Sequence, residues 1–207
     1  LGDLPPHTGP SDWRDMKVYA DHVYIVSEAS GHGMQVFDLT GLRSVASPPV
    51  TFSETAHYPN FGSAHNIAIN EDTGFAYVVG SGACSAGLHM IDLSSPASPV
   101  QAGCYSGDGY THDVQCVVYA GPDSAYSGRE ICFAFNEDTL TIVDVEDKNS
   151  PVQVSRTRYS GVSYTHQGWL TEDHAYVLLN DELDEAYGRH NTRTYIVDVS
   201  DLDAPVL

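Results

Sequence analysis

One pattern returns four times along the chain and limits what it can fold into. Met34-Gln35-Val36-Phe37-Asp38-Leu39, Leu88-His89-Met90-Ile91-Asp92-Leu93, Leu140-Thr141-Ile142-Val143-Asp144-Val145 and Thr194-Tyr195-Ile196-Val197-Asp198-Val199 are each followed by a turn-rich stretch. Each stretch ends in Pro-Val, at Pro49-Val50, Pro99-Val100, Pro151-Val152 and Pro205-Val206. A second β-rich run precedes each of these segments, at 23–26, 76–79, 131–134 and 175–178. Ahead of those runs stand Arg14-Asp15, His65-Asn66, His112-Asp113 and His166-Gln167, spaced roughly 47 to 54 residues apart. That period is the size of a propeller blade.

Each unit reads as four short strands. The first follows the His or Arg, the second is the Tyr-rich run, the third carries Ile-Val-Asp-Val, and the fourth starts at Pro-Val. Asn70-Glu71-Asp72-Thr73-Gly74 and Glu172-Asp173 supply hairpin turns. No helical period extends over a useful length. The reading is all-β: a single β-propeller domain over 1–207, with repeats at approximately 11–60, 61–108, 109–162 and 163–207. Residues 1–10 look like part of a fourth strand, since Leu1-Gly2-Asp3-Leu4 compares with Ala102-Gly103-Cys104-Tyr105. That strand either completes the last blade and closes a four-bladed ring, or the chain is a slice of a longer propeller. Leu1 stands where a start Met would, so the sequence reads as a processed or trimmed piece.

Charge narrows the partners. Nine Lys and Arg against 28 Asp and Glu give a formal charge of -19. Such a surface repels phosphate backbones and anionic membranes, so no nucleic acid is expected as a partner. No apolar run is long enough to span a bilayer, so no membrane insertion is expected.

The stretches Ser27–Met34, Gly109–Asp113, Asn136–Leu140 and Tyr164–Leu170 resemble the choice-of-anchor B family, over essentially the whole chain. Those proteins are secreted or surface proteins built from LVIVD-type propeller repeats. The resemblance implies export, an extracellular location and a propeller. It implies no established reaction. The greater length of the family's members favours the slice over the closed ring.

In a propeller the first strand of a blade starts, and its second strand ends, at the same face of the channel. The starts offer Arg14, His65 with Asn66, His112 with Asp113, and His166 with Gln167. The second-strand ends offer Glu28, Ser81, Asn136-Glu137-Asp138 and Asn180-Asp181-Glu182. Three imidazoles and several carboxylates can bind a divalent cation. His65, His112, His166, Glu28, Glu137 and Asp181 are the candidate metal ligands, with calcium or a zinc-like transition metal as the cation. Arg14, Asp113, Gln167 and Glu182 are candidate ligand-binding neighbours. The competing explanation is structural: a His recurring from blade to blade can tie neighbouring blades together by hydrogen bonds. Asp38, Asp92, Asp144 and Asp198 each precede a turn and are assigned to the scaffold, as acceptors of backbone N–H groups.

The four Cys are expected as two disulfides. Cys116 enters a first strand and Cys132 leaves the adjacent second strand at the same height. Cys84 faces Cys104 near one end of a fourth strand. No phosphate loop and no nucleophile elbow occurs, and no organic cofactor is expected. Two function classes remain. One is an extracellular binding or structural propeller whose channel mouth holds a cation or an unidentified small-molecule, glycan or protein ligand. The other is a metal-dependent hydrolase using the His and carboxylate ring.

Overall fold

A computed structural model describes residues 1–188 and 190–207. The chain opens with a two-residue strand, β1 (Gly2–Asp3). The first blade contains β2 (Arg14–Tyr19), β3 (His22–Ser27), β4 (Met34–Asp38) and β6 (Ala56–Tyr58), with β5 (Val50–Thr51) in the excursion before its last strand. The second contains β7 (Asn66–Asn70), β8 (Phe75–Val79), β9 (Leu88–Asp92) and β10 (Val100–Tyr105). The third contains β11 (Asp113–Val118), β12 (Glu130–Asn136), β13 (Thr139–Asp144) and β14 (Val152–Thr157). The fourth contains β15 (Thr165–Leu170), β16 (Tyr176–Asp181) and β17 (Thr194–Asp198). Strands within each blade run antiparallel. No α-helix occurs among the described residues. The fold is the all-β propeller architecture that the repeats require, with the innermost strands β2, β7, β11 and β15 side by side in chain order.

Local chemistry explains the repetition. Each third strand ends on an Asp whose Oδ1 accepts the backbone N–H two residues on: Thr40 to Asp38, Ser94 to Asp92, Glu146 to Asp144 and Ser200 to Asp198. These are short Asx turns, and they confirm the scaffold role of the four Asp residues. In the turn between β7 and β8, Gly74 takes a φ of +73° and donates its N–H to the Asn70 carbonyl.

The expectation for residues 1–10 needs correction. Residues 1–10 do not supply a fourth strand to the last blade. β1 pairs parallel with β5, Gly2 opposite Val50 and Asp3 opposite Thr51. The Val50 and Phe52 N–H groups donate to the Leu1 and Asp3 carbonyls. A side chain at Gly2 would collide with the Val50 carbonyl, so glycine permits the close approach. The Pro5 carbonyl then accepts from Gln35 Nε2 at 3.0 Å, holding the segment on the first blade. The long connection between β4 and β6 is the reason: it places free backbone groups beside the N-terminal residues. The fourth blade accordingly has three strands, and the start of its outer strand appears as a single bridge, Asp198 to Val206.

Three apolar cores separate the four blades. Tyr24, Val26, Met34 and Val36 of the first blade pack against Ile67, Ala76, Val78 and Ile91 of the second. Tyr77, Val79, Leu88 and Met90 of the second meet Val114, Cys132, Ala134 and Val143 of the third. Ile131, Phe133, Phe135 and Ile142 of the third meet Leu170, Val177, Leu179 and Val197 of the fourth. In this last interface the Phe135 ring lies over Gly168, where a Cβ would fall 2.5 Å from Phe135 Cε1. Every residue of β12 and β13 is therefore buried, while β16 and β17 alternate between buried and exposed, with one face free.

A polar bridge reinforces the middle interface. Glu130, buried in the third blade, accepts from Asn70 and Thr73 of the second at 2.7 Å each. Lys148 Nζ donates to Glu130 at 2.8 Å and lies 4.2 Å above the Phe75 ring.

Candidate functional site

The strand starts of the inner wall bring their rings into one column. Trp13 stacks on His65 at 4.7 Å with the rings nearly parallel. His65 and His112 have ring centroids 4.1 Å apart, and His112 and His166 4.4 Å. Repetition at blade spacing places one imidazole per blade at the same height, so the three meet at the channel mouth. Tyr164 meets His112 edge-on at 5.4 Å.

Hydrogen bonds fix which nitrogens remain free. His65 Nδ1 is 2.7 Å from Glu28 Oε1, an acceptor, so Nδ1 carries a hydrogen. His65 Nε2 is buried with no partner. His112 Nδ1 is 3.0 Å from the His166 carbonyl, which likewise leaves His112 Nε2 free. Burial, and then the imidazoles of His65 and His166, lower the His112 pKa to about 4. Burial also lowers that of His166, against the opposing charge of Glu182. Both rings are thus neutral at physiological pH, the form that ligates metals.

One ligand atom each from His112, His166 and Glu182 lies within 4.8 Å of the others. This is the metal-capable cluster at the mouth, and it differs in part from the six candidate ligands. Asp181 is spent elsewhere. Its two oxygens accept from Tyr159 Oη and from the backbone N–H groups of Ser163, Tyr164 and Leu183. It folds the loop that carries Glu182. Glu28 serves His65. Glu137 has a φ of +44°, and its backbone bridges to Thr165, tying the third blade to the fourth. Burial and then the carboxylates of Glu28 and Glu137 push the Tyr110 phenol up to about 12. Arg14 turns away from the column, its guanidinium 3.2 Å from His32 Nε2 and 3.3 Å from the Gly9 carbonyl.

Below the mouth the inner strands line a groove of about 760 Å³, with Lys17, Asn70, Asp113, Gln167 and Trp169 on its wall. Burial raises the Asp113 carboxyl to about 6, against the lowering effect of Lys17. A further acidic group, Asp123, Asp201 and Asp203, lies within ligand distance. Its oxygens accept from Ala125, Leu202, Asp203 and Tyr126, closing turns.

The cysteines pair as expected. Cys116–Cys132 joins β11 to β12, and Cys84–Cys104 ties the loop after β8 to β10. No helix among the described residues is long and apolar enough to cross a membrane.

The LVIVD repeat family matches residues 61–106 and 125–158, which fall in the second and third blades. Those two segments are similar to LVIVD repeats. Among curated proteins no sequence matches. Among solved structures, a functionally unknown protein from Desulfotomaculum acetoxidans is similar with a TM-score of 0.59 and 12% identity, over 92% of this chain and 52% of that one. The β-propeller domain of Cps50 (Swd1) from Myceliophteria thermophila is similar with a TM-score of 0.52 and 11% identity, over 92% of this chain and 53% of that one. An extracellular domain from B. thetaiotaomicron is similar with a TM-score of 0.57 and 12% identity, over 99% of this chain and 25% of that one. These likenesses show the fold. This chain spans between a quarter and about half the length of the structures it matches.

Two placements at the column were not fixed by the sequence. Trp13, one residue before Arg14, takes the ring position of the first blade in the column. Glu182, assigned to ligand binding, replaces Asp181 beside the imidazoles. Strand alternation carries the second signal: Asp181 falls in register with the buried Val177 and Leu179, so its neighbour points outward.

Proposed function

We propose that this chain is a binding propeller of an extracellular protein of the choice-of-anchor B type, and that His112, His166 and Glu182 hold a divalent cation at its channel mouth. The observation that carries the reading is the convergence of two neutral imidazoles and one carboxylate within 4.8 Å. The donor set of two nitrogens and one carboxylate oxygen suits a zinc-like transition metal better than calcium, which prefers six or more oxygens. His65, with its buried and unpartnered Nε2, supplies a third imidazole in the same column. Two disulfides support an oxidising, extracellular location. A charge of -19 supports cation accumulation and disfavours nucleic acid.

A metal-dependent hydrolase is the second reading, because three protein ligands leave a position open for water. The test of the first reading is elemental analysis of purified protein, with thermal melting in Zn2+, Ca2+ and chelator. Retained zinc, a melting temperature lowered by chelator, and loss of both effects in His112→Ala and His166→Ala are expected. Protein that carries no metal and melts identically in all three conditions overturns the cation site. Turnover of a chromogenic ester that vanishes on metal removal selects the hydrolase.

A further inference from the structure

The two disulfides stand in opposite surroundings. Cys116–Cys132 lies in the core between the second and third blades, with both residues buried. Cys84–Cys104 reaches the edge strand of the second blade, where Cys104 is exposed and Cys84 half-buried. Cys104 stands opposite His89 across β10 and β9, and His89 Nδ1 is 3.5 Å from Cys84 Sγ. A disulfide sulfur carries no hydrogen, so Nδ1 is the donor and Sγ the acceptor. His89 Nε2 then accepts from Tyr58 Oη at 2.9 Å, which fixes the tautomer. Burial lowers the His89 pKa, so the ring stays neutral with its one hydrogen on Nδ1. The turn that carries Cys84 is held in an unfavourable backbone. Cys84, Ser85 and Ala86 have φ of +51°, +52° and +66°, in the left-handed region that costs each L-residue energy. The same turn supports the next blade. The Ala86 carbonyl accepts the N–H groups of Gly80 at 3.1 Å and of Thr111 at 3.0 Å, and Thr111 precedes His112.

We propose that Cys84–Cys104 is a site of reversible exchange with small thiols, and that its opening releases the turn at 84–86 from Thr111. The attacking thiolate forms a bond to the exposed Cys104 Sγ. The bond between the two cysteines breaks, and its electron pair leaves on Cys84 Sγ. The Nδ1–H of His89 lies against that sulfur and stabilises the thiolate until water supplies a proton. A leaving thiol of lowered pKa departs faster. A second thiol attacks the mixed disulfide at the sulfur of the first, which frees the Cys104 thiol. Two small thiols are thereby oxidised to a disulfide while one protein disulfide is reduced, and the reverse sequence closes the bridge again. Cys116–Cys132 offers no such path, because packed side chains cover both residues. With a chain charge of -19, a cationic thiol approaches more readily than an anionic one. Once untethered, residues 84–86 relax out of the left-handed region, and the Ala86 carbonyl leaves the Thr111 N–H. This release does not depend on a cation at the channel mouth.

Native protein treated with millimolar cysteamine at pH 8, quenched with iodoacetamide and mapped by mass spectrometry tests this. Cysteamine is expected on Cys104 and the alkyl group on Cys84, with Cys116–Cys132 intact and circular dichroism unchanged. His89→Leu removes the donor and should slow the opening about threefold to tenfold. Hydrogen exchange should quicken at residues 84–87 and at the Thr111 amide, both in the opened protein and in the Cys84→Ser with Cys104→Ser variant. A bridge that resists cysteamine until the protein unfolds, or that opens no faster than Cys116–Cys132, overturns the proposal. Cysteamine found on Cys84 overturns the direction of attack, and this readout needs no variant should His89→Leu fail to fold. An unchanged rate in folded His89→Leu protein overturns the part given to His89. Unchanged exchange at the Thr111 amide overturns the release of the turn.

Discussion

Cys116 and Cys132 stand directly opposite each other on β11 and β12, with Cα atoms 4.0 Å apart, and their disulfide joins the channel-lining strand of the third blade to its neighbour. The bond lies in the core between the second and third blades, so it stabilises the wall that carries His112. Replacing both cysteines by Ala should cost about 2–4 kcal/mol. Denaturant unfolding of the double variant measures this, and an unchanged midpoint would refute it. Peptide mapping without reductant should show Cys84–Cys104 as the other bridge.

Acid should loosen the histidine column. The His112 pKa in the fold is about 4, against an ordinary value of 6.5. Above pH 6.5 the ring is neutral folded and unfolded, so it contributes no pH dependence. Between about 6.5 and 4 the unfolded chain takes up a proton that the fold refuses, and stability falls by roughly 3 kcal/mol. His112→Gln should flatten that part of the stability profile. Urea titrations at steps between pH 7 and 4 provide the measurement.

Asp113 has the opposite dependence. Its carboxyl is raised to about 6 by burial, so the folded state holds a proton that the unfolded chain has released. Stability from this group is fully present at low pH and is lost as pH rises through 6. Asp113→Asn keeps an oxygen for the Val114 N–H, which Oδ1 now accepts at 2.8 Å. The variant should gain up to about 3 kcal/mol at pH 7.5 and little at pH 4. An equal gain at both pH values would refute ionisation as the cause.

Lys148 should matter more than a surface ion pair. Lys148→Met leaves Glu130 buried without its cation, at a cost of roughly 3 kcal/mol. Adding Glu130→Gln should restore part of the loss, because the amide oxygen still accepts from Asn70 and Thr73. Equilibrium unfolding of the single and double variants measures the coupling, and simple additivity would refute it.

The repeat period made the blades legible, and the Asp at each third-strand end marked its turn. The histidine column was legible for the same reason, since repetition puts equivalent residues at equivalent heights. The partners of those histidines were not. Whether Asp181 or Glu182 faces the channel depends on strand alternation across a single residue. Arg14 points away because His32 and Gly9 hold it, and both contacts depend on how loops fold. The position of residues 1–10 was misread because a short strand shows its composition and not its pairing partner. Only the long excursion between β4 and β6 offered it an edge.

The fit of Phe135 over Gly168 has a consequence for the order of the blades. At the matching place in the other two interfaces, Val79 meets Val114 and Val26 meets Ile67. Bulk removed from one blade has been added to the neighbour that touches it. The four units look alike in sequence yet are keyed to one succession. A shuffled chain that set the fourth unit after the second would place Val79 over Gly168 and leave a void. One that set the third unit before another copy of itself would force Phe135 into Val114. Each blade thus records, in the size of one side chain, which blade comes next.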